Sequence, residues 1–329
     1  MPNTPDAPQE QPVFQPLKPS AIIPLGYVIL IAVLTVLSFM TIGPLLGFLA
    51  ILPFYEFDLN AVQQVLTNLN DHPEAVVPLL VFQGVAAGFS FILLPWFMLR
   101  YIRIYDIKSM SGGGLNLKFI GLVALITIIL MPANGLFVEW NANVDFPDFM
   151  AGFEQWAKDK EEQLAGATAM MTQISDPAIF ALALLVVAVI PAIGEEFFFR
   201  GIIQRQLTQH KVNPHLAIWL TAILFSGFHL QFYGFLPRMM LGALFGYLYW
   251  WSGNLKLAIV THFVNNGFTL LMVYLYQIGS ISYDVEETEG PSLIVAAIAM
   301  VLGGGLLRYF YLQSQQTKQE SSGQLGGDI

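Results

Sequence analysis

Apolar residues in this chain are gathered into long runs separated by short polar connections. A helix needs about 20 apolar residues to cross a hydrocarbon core, and on that rule about eight runs qualify: 22–44, 77–99, 117–138, 177–204, 214–231, 235–251, 255–277 and 291–312. The first apolar stretch continues to Phe54, so its end is ill defined, and the runs at 214 and 235 are short enough for tilted or partly re-entrant helices. The pattern predicts an all-α, polytopic membrane helix bundle of about eight transmembrane helices over 21–312. The polar, proline-rich residues 1–20 and the Gln, Ser and Gly-rich residues 313–329 read as disordered tails.

Composition agrees: 55% of the 329 residues are hydrophobic and 11% charged, with a mean hydropathy of +0.61. The net charge of −9 and the lack of any basic patch give no nucleic-acid footprint; the surrounding partner is the lipid bilayer. The absence of cysteine excludes disulfides, thiolate nucleophiles and Cys-ligated zinc. Charge alternates between connections. Residues 55–74 carry no Lys or Arg, and 280–291 carries Asp284, Glu286, Glu287 and Glu289 without a base. Arg100, Arg103, Lys108, Lys118, Arg200, Arg205, Lys211, Lys256, Arg308 and Lys318 sit on the alternate connections. The positive-inside rule then places both termini in the cytoplasm, with Lys158, Lys160 and Arg238 on the far side, and the expected location is a bacterial-type cell membrane. The longest outer connection, 139–177, is acidic and is expected to hold an amphipathic helix around 154–163.

Against this apolar background a few polar residues stand out. Glu195 and Glu196 close the apolar run 178–193, with Arg200 one turn further on. Ionisable groups inside a membrane span cost several kcal/mol unless paired or hydrated, and mark function by default. Glu196 and Arg200 share a helix face and can pair, whereas Glu195 points about 100° away. His229 lies one turn after Phe225, and His262 one turn before Asn266, while Asn265 points elsewhere. Taken singly, the acids also suit a structural ion-pair network, His229 a hydrogen-bonded core histidine, and His262 with Asn266 interhelical glue. His72, His210 and His215 read as solvated bystanders. Gly242 with Gly246, and Gly303 to Gly305, read as close-packing positions.

Together these segments supply a carboxylate, two imidazoles and an amide, the parts needed to hydrolyse a peptide bond with water. Glu195 with His229 would polarise the water, and His262 and Asn266 would donate to the oxyanion, where one donor is worth roughly 3 kcal/mol. No cysteine is present, and Ser226 has no nucleophile context.

The segments Glu195-Glu196-Phe197-Phe198-Phe199-Arg200, Phe225-Ser226-Gly227-Phe228-His229 and His262-Phe263-Val264-Asn265-Asn266 fit EExxxR, FxxxH and HxxxN in order and on separate runs. In this the chain resembles the CPBP family of intramembrane proteases, also called the CAAX protease or Abi family, which includes prenyl-protein endopeptidases and bacteriocin self-immunity proteins. The resemblance covers about 191–267, within a core of about 177–277. It implies Glu195 as general base, His229 as its partner, His262 and Asn266 as oxyanion stabilisers, and Glu196 and Arg200 as supporting residues. The expected partner is a peptide or membrane-protein substrate, cut near the cytoplasmic face. No cofactor is preferred; Glu195, His229 and His262 are the zinc ligands if a metal is used, but Asn266 suits hydrogen bonding better than ligation. The alternatives are a non-catalytic immunity or peptide-binding protein of the same fold and, further off, a proton-coupled transporter. At about 1.5 Å per residue from the cytoplasmic ends, His262 would lie near 10 Å deep, Glu195 about 13 Å and His229 beyond roughly 20 Å. The run carrying His229 must therefore be tilted, offset or start below the surface.

Overall fold

The computed structural model describes residues 22–102, 110, 112, 114–174, 176–282 and 290–326. The expected tail at 1–20, the acids from Asp284 to Glu289 and the bases Arg103 and Lys108 lie outside them. Among the described residues there are helices and connections and no strand. We label the helices α1 (Leu25–Tyr55), α2 (Leu59–Thr67), α3 (Pro73–Tyr101), α4 (Leu117–Ala142), α5 (Ala151–Met171), α6 (Pro177–Gln209), α7 (Pro214–Phe228), α8 (Phe235–Ser252), α9 (Leu255–Gln277) and α10 (Leu293–Gly326). Six of these, α1, α3, α4, α6, α9 and α10, are long and apolar enough to cross a membrane. The shorter α7 and α8 occupy the remaining two apolar runs, giving the polytopic bundle that the pattern predicts.

The helix starts are written in the sequence. Asp176 precedes Pro177 and accepts from the N–H groups of Ala178 and Ile179, at 2.8 and 3.1 Å. Asn213 precedes Pro214 and accepts from His215 and Leu216, while Asn116 and Asn254 cap α4 and α9 through Lys118 and Lys256. Each cap satisfies N–H groups that the helix cannot pair itself, and proline at the first position loses nothing there. Gly253, at φ +67°, supplies the left-handed residue that ends α8.

α1 runs on past its expected end, bending at Thr41, whose hydroxyl turns back to the Leu37 carbonyl at 2.6 Å. It lies along α3. A Cβ on Gly43 would sit 2.6 Å from the Ser90 hydroxyl, and one on Gly47 2.7 Å from the Phe82 carbonyl, so two glycines one turn apart let the backbones meet. α4 packs against α9 and α10, and α7 against α8.

The connection 139–177, expected to hold an amphipathic helix around 154–163, does hold a helix, and a longer one, as α5 spans 21 residues. α10 stays helical to Gly326, past the point where the sequence suggests a disordered tail. There Gln313 accepts from Lys118 at 2.8 Å and donates to Gln316. Two assignments of the charge pattern change. Arg200 and Arg205, which look like loop charges, are 0% and 4% exposed, because α6 continues to Gln209. His210 and His215 are exposed, as expected, and each keeps one hydrogen bond, the first with the Ile23 carbonyl at 2.8 Å and the second with the Tyr247 hydroxyl at 2.9 Å.

Gly47→Val is expected to lower the thermal midpoint of the detergent-solubilised protein, by the roughly 1–3 kcal/mol that overpacking costs. Gly304→Ala, where a Cβ meets nothing within 4 Å, should leave the melt unchanged.

Candidate active site in the bundle

α6 carries the acids, and its backbone is irregular on both sides of them. Residues Leu184–Val189 and Glu196–Gln204 are wound as π-helix, a winding often found at functional sites. Pro191 has no N–H, so the carbonyl of Val187, four residues earlier, lacks its α-helical donor. Asn266 of α9 donates to that carbonyl from Nδ2 at 3.1 Å.

Glu196 is fully buried and lies between two partners. Its Oε1 accepts from Arg200 Nη1 at 2.7 Å and pairs with His262 Nδ1 at 2.8 Å. Arg200, also fully buried, lies over the rings of Phe225 and Phe245, at 4.6 and 5.3 Å from their centroids. Phe245 stacks on His262 with ring centroids 5.0 Å apart. The carboxylate is thus neutralised by a cation that is itself held between two aromatic faces.

His262 Nε2 faces Asn266 Nδ2 at 3.3 Å. The Asn266 amide is fixed the other way round as well, because its Oδ1 accepts from Asn265 Nδ2 at 3.0 Å. Asn265, expected to point elsewhere, therefore joins this network. A neutral imidazole that donates from Nδ1 to Glu196 and accepts at Nε2 satisfies every one of these bonds.

α8 meets α6 along one stripe. Arg200 Nη2 donates to the carbonyl of Gly242 at 2.8 Å, and Gln204 Nε2 to that of Gly246 at 3.0 Å. The glycines do more than allow close packing: the bare backbone exposes two carbonyls to buried donors on the neighbouring helix. Both pairs are 42 residues apart, so one turn earlier Arg238 comes level with Glu196 and its neighbour Glu195.

Glu195 is half-buried and has no hydrogen bond or ion pair among the described residues. It lies within electrostatic reach of His262, Glu196, Arg200 and Arg238. His229, at the end of α7, is half-buried; its Nδ1 contacts the Phe225 carbonyl at 2.9 Å, and His262 and Arg238 lie within electrostatic reach. The Phe225 ring touches both imidazoles, with centroids at 5.3 Å from His229 and 5.9 Å from His262. The structure thus gathers the acids, both imidazoles and Asn266 into one region. No hydrogen bond joins Glu195 to His229. Among the described residues no group of three or more His, Asp or Glu could hold a metal ion. His262 spends both ring nitrogens on Glu196 and Asn266, so the set Glu195, His229 and His262 does not fit zinc as arranged.

Sequence reasoning missed four participants: Val187, Phe245, Gln204 and Arg238. Pro191 was a readable signal for the first, since a mid-helix proline frees the carbonyl four residues before it. The glycine pair signalled close approach but not the donors that use it.

A polytopic α-helical bundle with a buried acid–imidazole–amide centre is the class that fold and site define. Residues 177–268, which hold α6 to α8 and the first half of α9, match the family model described as type II CAAX prenyl endopeptidase Rce1-like. The chain therefore carries an Rce1-like domain over those residues. It is also similar to the uncharacterized protein YpbD of Bacillus subtilis (strain 168), at 23% identity over 190 residues, 56% of this chain and 80% of that protein. No solved structure gives a significant match.

Arg200→Ala is expected to destabilise the fold by about 3–5 kcal/mol, since it leaves the Glu196 carboxylate buried with its cation removed. Thermal melting and size-exclusion profiles in detergent would register the loss, and Glu196→Gln/Arg200→Met together should recover part of it.

Proposed function

We propose that this chain is an intramembrane endopeptidase that hydrolyses a peptide bond with water activated by Glu195, aided by His229. The observation that carries the reading is the contrast between the two adjacent acids. Glu196 is locked between Arg200 and His262, whereas Glu195, half-buried and without a hydrogen bond, is left able to accept a proton. A positioned general base of this kind contributes about 10²–10⁴-fold in rate. The Rce1-like match over 177–268 supports the same chemistry by likeness.

In this reading water is deprotonated by Glu195 as its oxygen bonds to the scissile carbonyl carbon, and the carbonyl electron pair moves to oxygen. The C–N bond then breaks, and the proton held by Glu195 passes to the leaving amine. Asn266 and His262 act on the carbonyl oxygen once substrate displaces one of their present contacts. The substrate is a peptide or membrane-protein segment entering from the bilayer, and the protein sits in a cell membrane with both termini cytoplasmic. No metal takes part in these steps. A proton-coupled transporter built on the same acids would tolerate loss of an amide, which cannot titrate.

The test is cleavage by purified protein in proteoliposomes against a peptide library in H₂¹⁸O, read by mass spectrometry. One ¹⁸O should appear in each new carboxylate. Glu195→Gln is expected to lower turnover at least about 100-fold with an unchanged melt, and Asn266→Ala about 10-fold or more. Full activity in Glu195→Gln would overturn the mechanism, and unchanged behaviour of Asn266→Ala would favour transport.

A further inference from the structure

The hydrogen-bond inventory leaves the proposed reaction short of free donors. Asn266 Nδ2 is engaged by the Val187 carbonyl and His262 Nε2, and His262 Nδ1 by Glu196. Both would have to give up a contact before serving an oxyanion. One strong donor nearby is not so committed. Arg238 follows the short connection after His229, and its first turn is held in place by three contacts from other segments. Asn141 of α4 accepts from the N–H of Leu236 at 2.7 Å, the Ser226 hydroxyl donates to the Phe235 carbonyl at 2.5 Å, and Glu161 of α5 accepts from Gln231 Nε2 and the Tyr233 N–H at 3.0 and 3.2 Å. The guanidinium folds back over Gly234 and donates from Nη2 to the Gln231 carbonyl at 2.6 Å. Its Nε is buried without a hydrogen-bond partner.

Arg238 also lies on the stripe of α8 that meets α6, one turn before Gly242. The paired contacts 200–242 and 204–246 put it level with the Glu195–Glu196 turn. Read from sequence alone, it counts as an outer-loop charge. In the fold it is a cation at the start of α8, level with the Glu195–Glu196 turn and within electrostatic reach of Glu161 and Glu195, with an Nε–H that has no hydrogen-bond partner.

We propose that Arg238 is a catalytic residue that donates a hydrogen bond to the carbonyl oxygen as negative charge develops there, in addition to the groups at His262 and Asn266. The proposal rests on the hydrolytic reading above. Water adds to the carbonyl carbon, its proton goes to Glu195, and the pair displaced from the C=O bond becomes an oxyanion facing the guanidinium. Collapse returns that pair to C=O, expels the amine and moves the Glu195 proton onto it. Arg238 stays protonated throughout and changes only its hydrogen bonding. A fixed guanidinium is suited to this, since its charge is permanent and its donors are preorganised.

The experiment measures kcat and KM of the full chain in proteoliposomes on the best peptide from the library, for wild type, R238Q, R238K and E161Q. R238Q is expected to lose about 10²–10³-fold in kcat with KM changed by less than about 3-fold. R238K should recover part of that loss. E161Q, which loosens the connection to α5 and removes an anion within electrostatic reach of Arg238 but leaves the guanidinium itself in place, should keep at least about a fifth of the wild-type kcat. A phosphinate peptide of the same sequence, a mimic of the tetrahedral species, should bind R238Q more weakly in proportion to kcat/KM while substrate affinity holds. The proposal is overturned if R238Q stays within about 5-fold of wild type, if E161Q falls as far as R238Q, or if phosphinate affinity is unmoved. Should R238Q fail to fold, R238K decides by the same kcat and phosphinate criteria. If wild type cleaves no peptide, or Glu195→Gln cleaves as well as wild type, the hydrolytic reading itself fails and the role of Arg238 falls with it.

Discussion

One buried carboxylate organises the centre of this molecule. Glu196 puts a carboxylate at a fully buried position, which is tolerable because Arg200 and His262 reach the same oxygen. Those two contacts tie α6 to itself and to α9, and Arg200 extends the tie to α8 through Gly242. Phe225 and Phe245 close over the guanidinium from α7 and α8. Four helices with little in common along the sequence are thereby held to one point, at an energetic cost that apolar packing alone would not demand. The return is definition: the Glu196, Arg200, His262 and Asn266 side chains are each oriented by contacts from another residue of the group.

The neighbouring acid shows the other half of the arrangement. Adjacent residues on a helix point about 100° apart, and here that difference separates a carboxylate bound on two sides from one bound on none. The irregular winding of α6 contributes. Pro191 removes an N–H, π-turns take up the misfit, and the carbonyl of Val187 becomes the anchor for Asn266. Backbone irregularity within a membrane bundle is tolerated where side chains from other helices restore the lost bonds, and the amide of Asn266 does this while also contacting His262.

Much of this was legible in the chain. Length and apolarity located the eight runs, and i, i+4 geometry foretold the Glu196–Arg200 pair. The three motifs selected the helices that meet. What sequence could not supply was lateral direction. Nothing in the spacing of His262 says that it turns to Glu196 rather than Glu195, because that depends on the rotation of α9 about its axis. The charge tally misjudged the surroundings of Arg200 and Arg205 for a related reason: an arginine near the end of an apolar run reads as a loop residue until helix length and neighbours are known. His229, which a residue count puts deepest, is nonetheless brought near His262: the ring of Phe225, one turn back on α7, touches both imidazoles.

The glycines of α8 have a consequence for how this centre can change. At Gly242 and Gly246 the absence of side chains turns a helix backbone into an acceptor surface, so α8 contributes polar groups at positions where its sequence displays none. A Cβ at Gly246 would lie 2.8 Å from the Gln204 side-chain oxygen, and one at Gly242 3.1–3.2 Å from Phe225, the Ala222 backbone and the Arg200 guanidinium. Substitution at these two sites is thus tied to the groups they face, Arg200 and Gln204 on α6 and Phe225, Ala222 and Ile218 on α7.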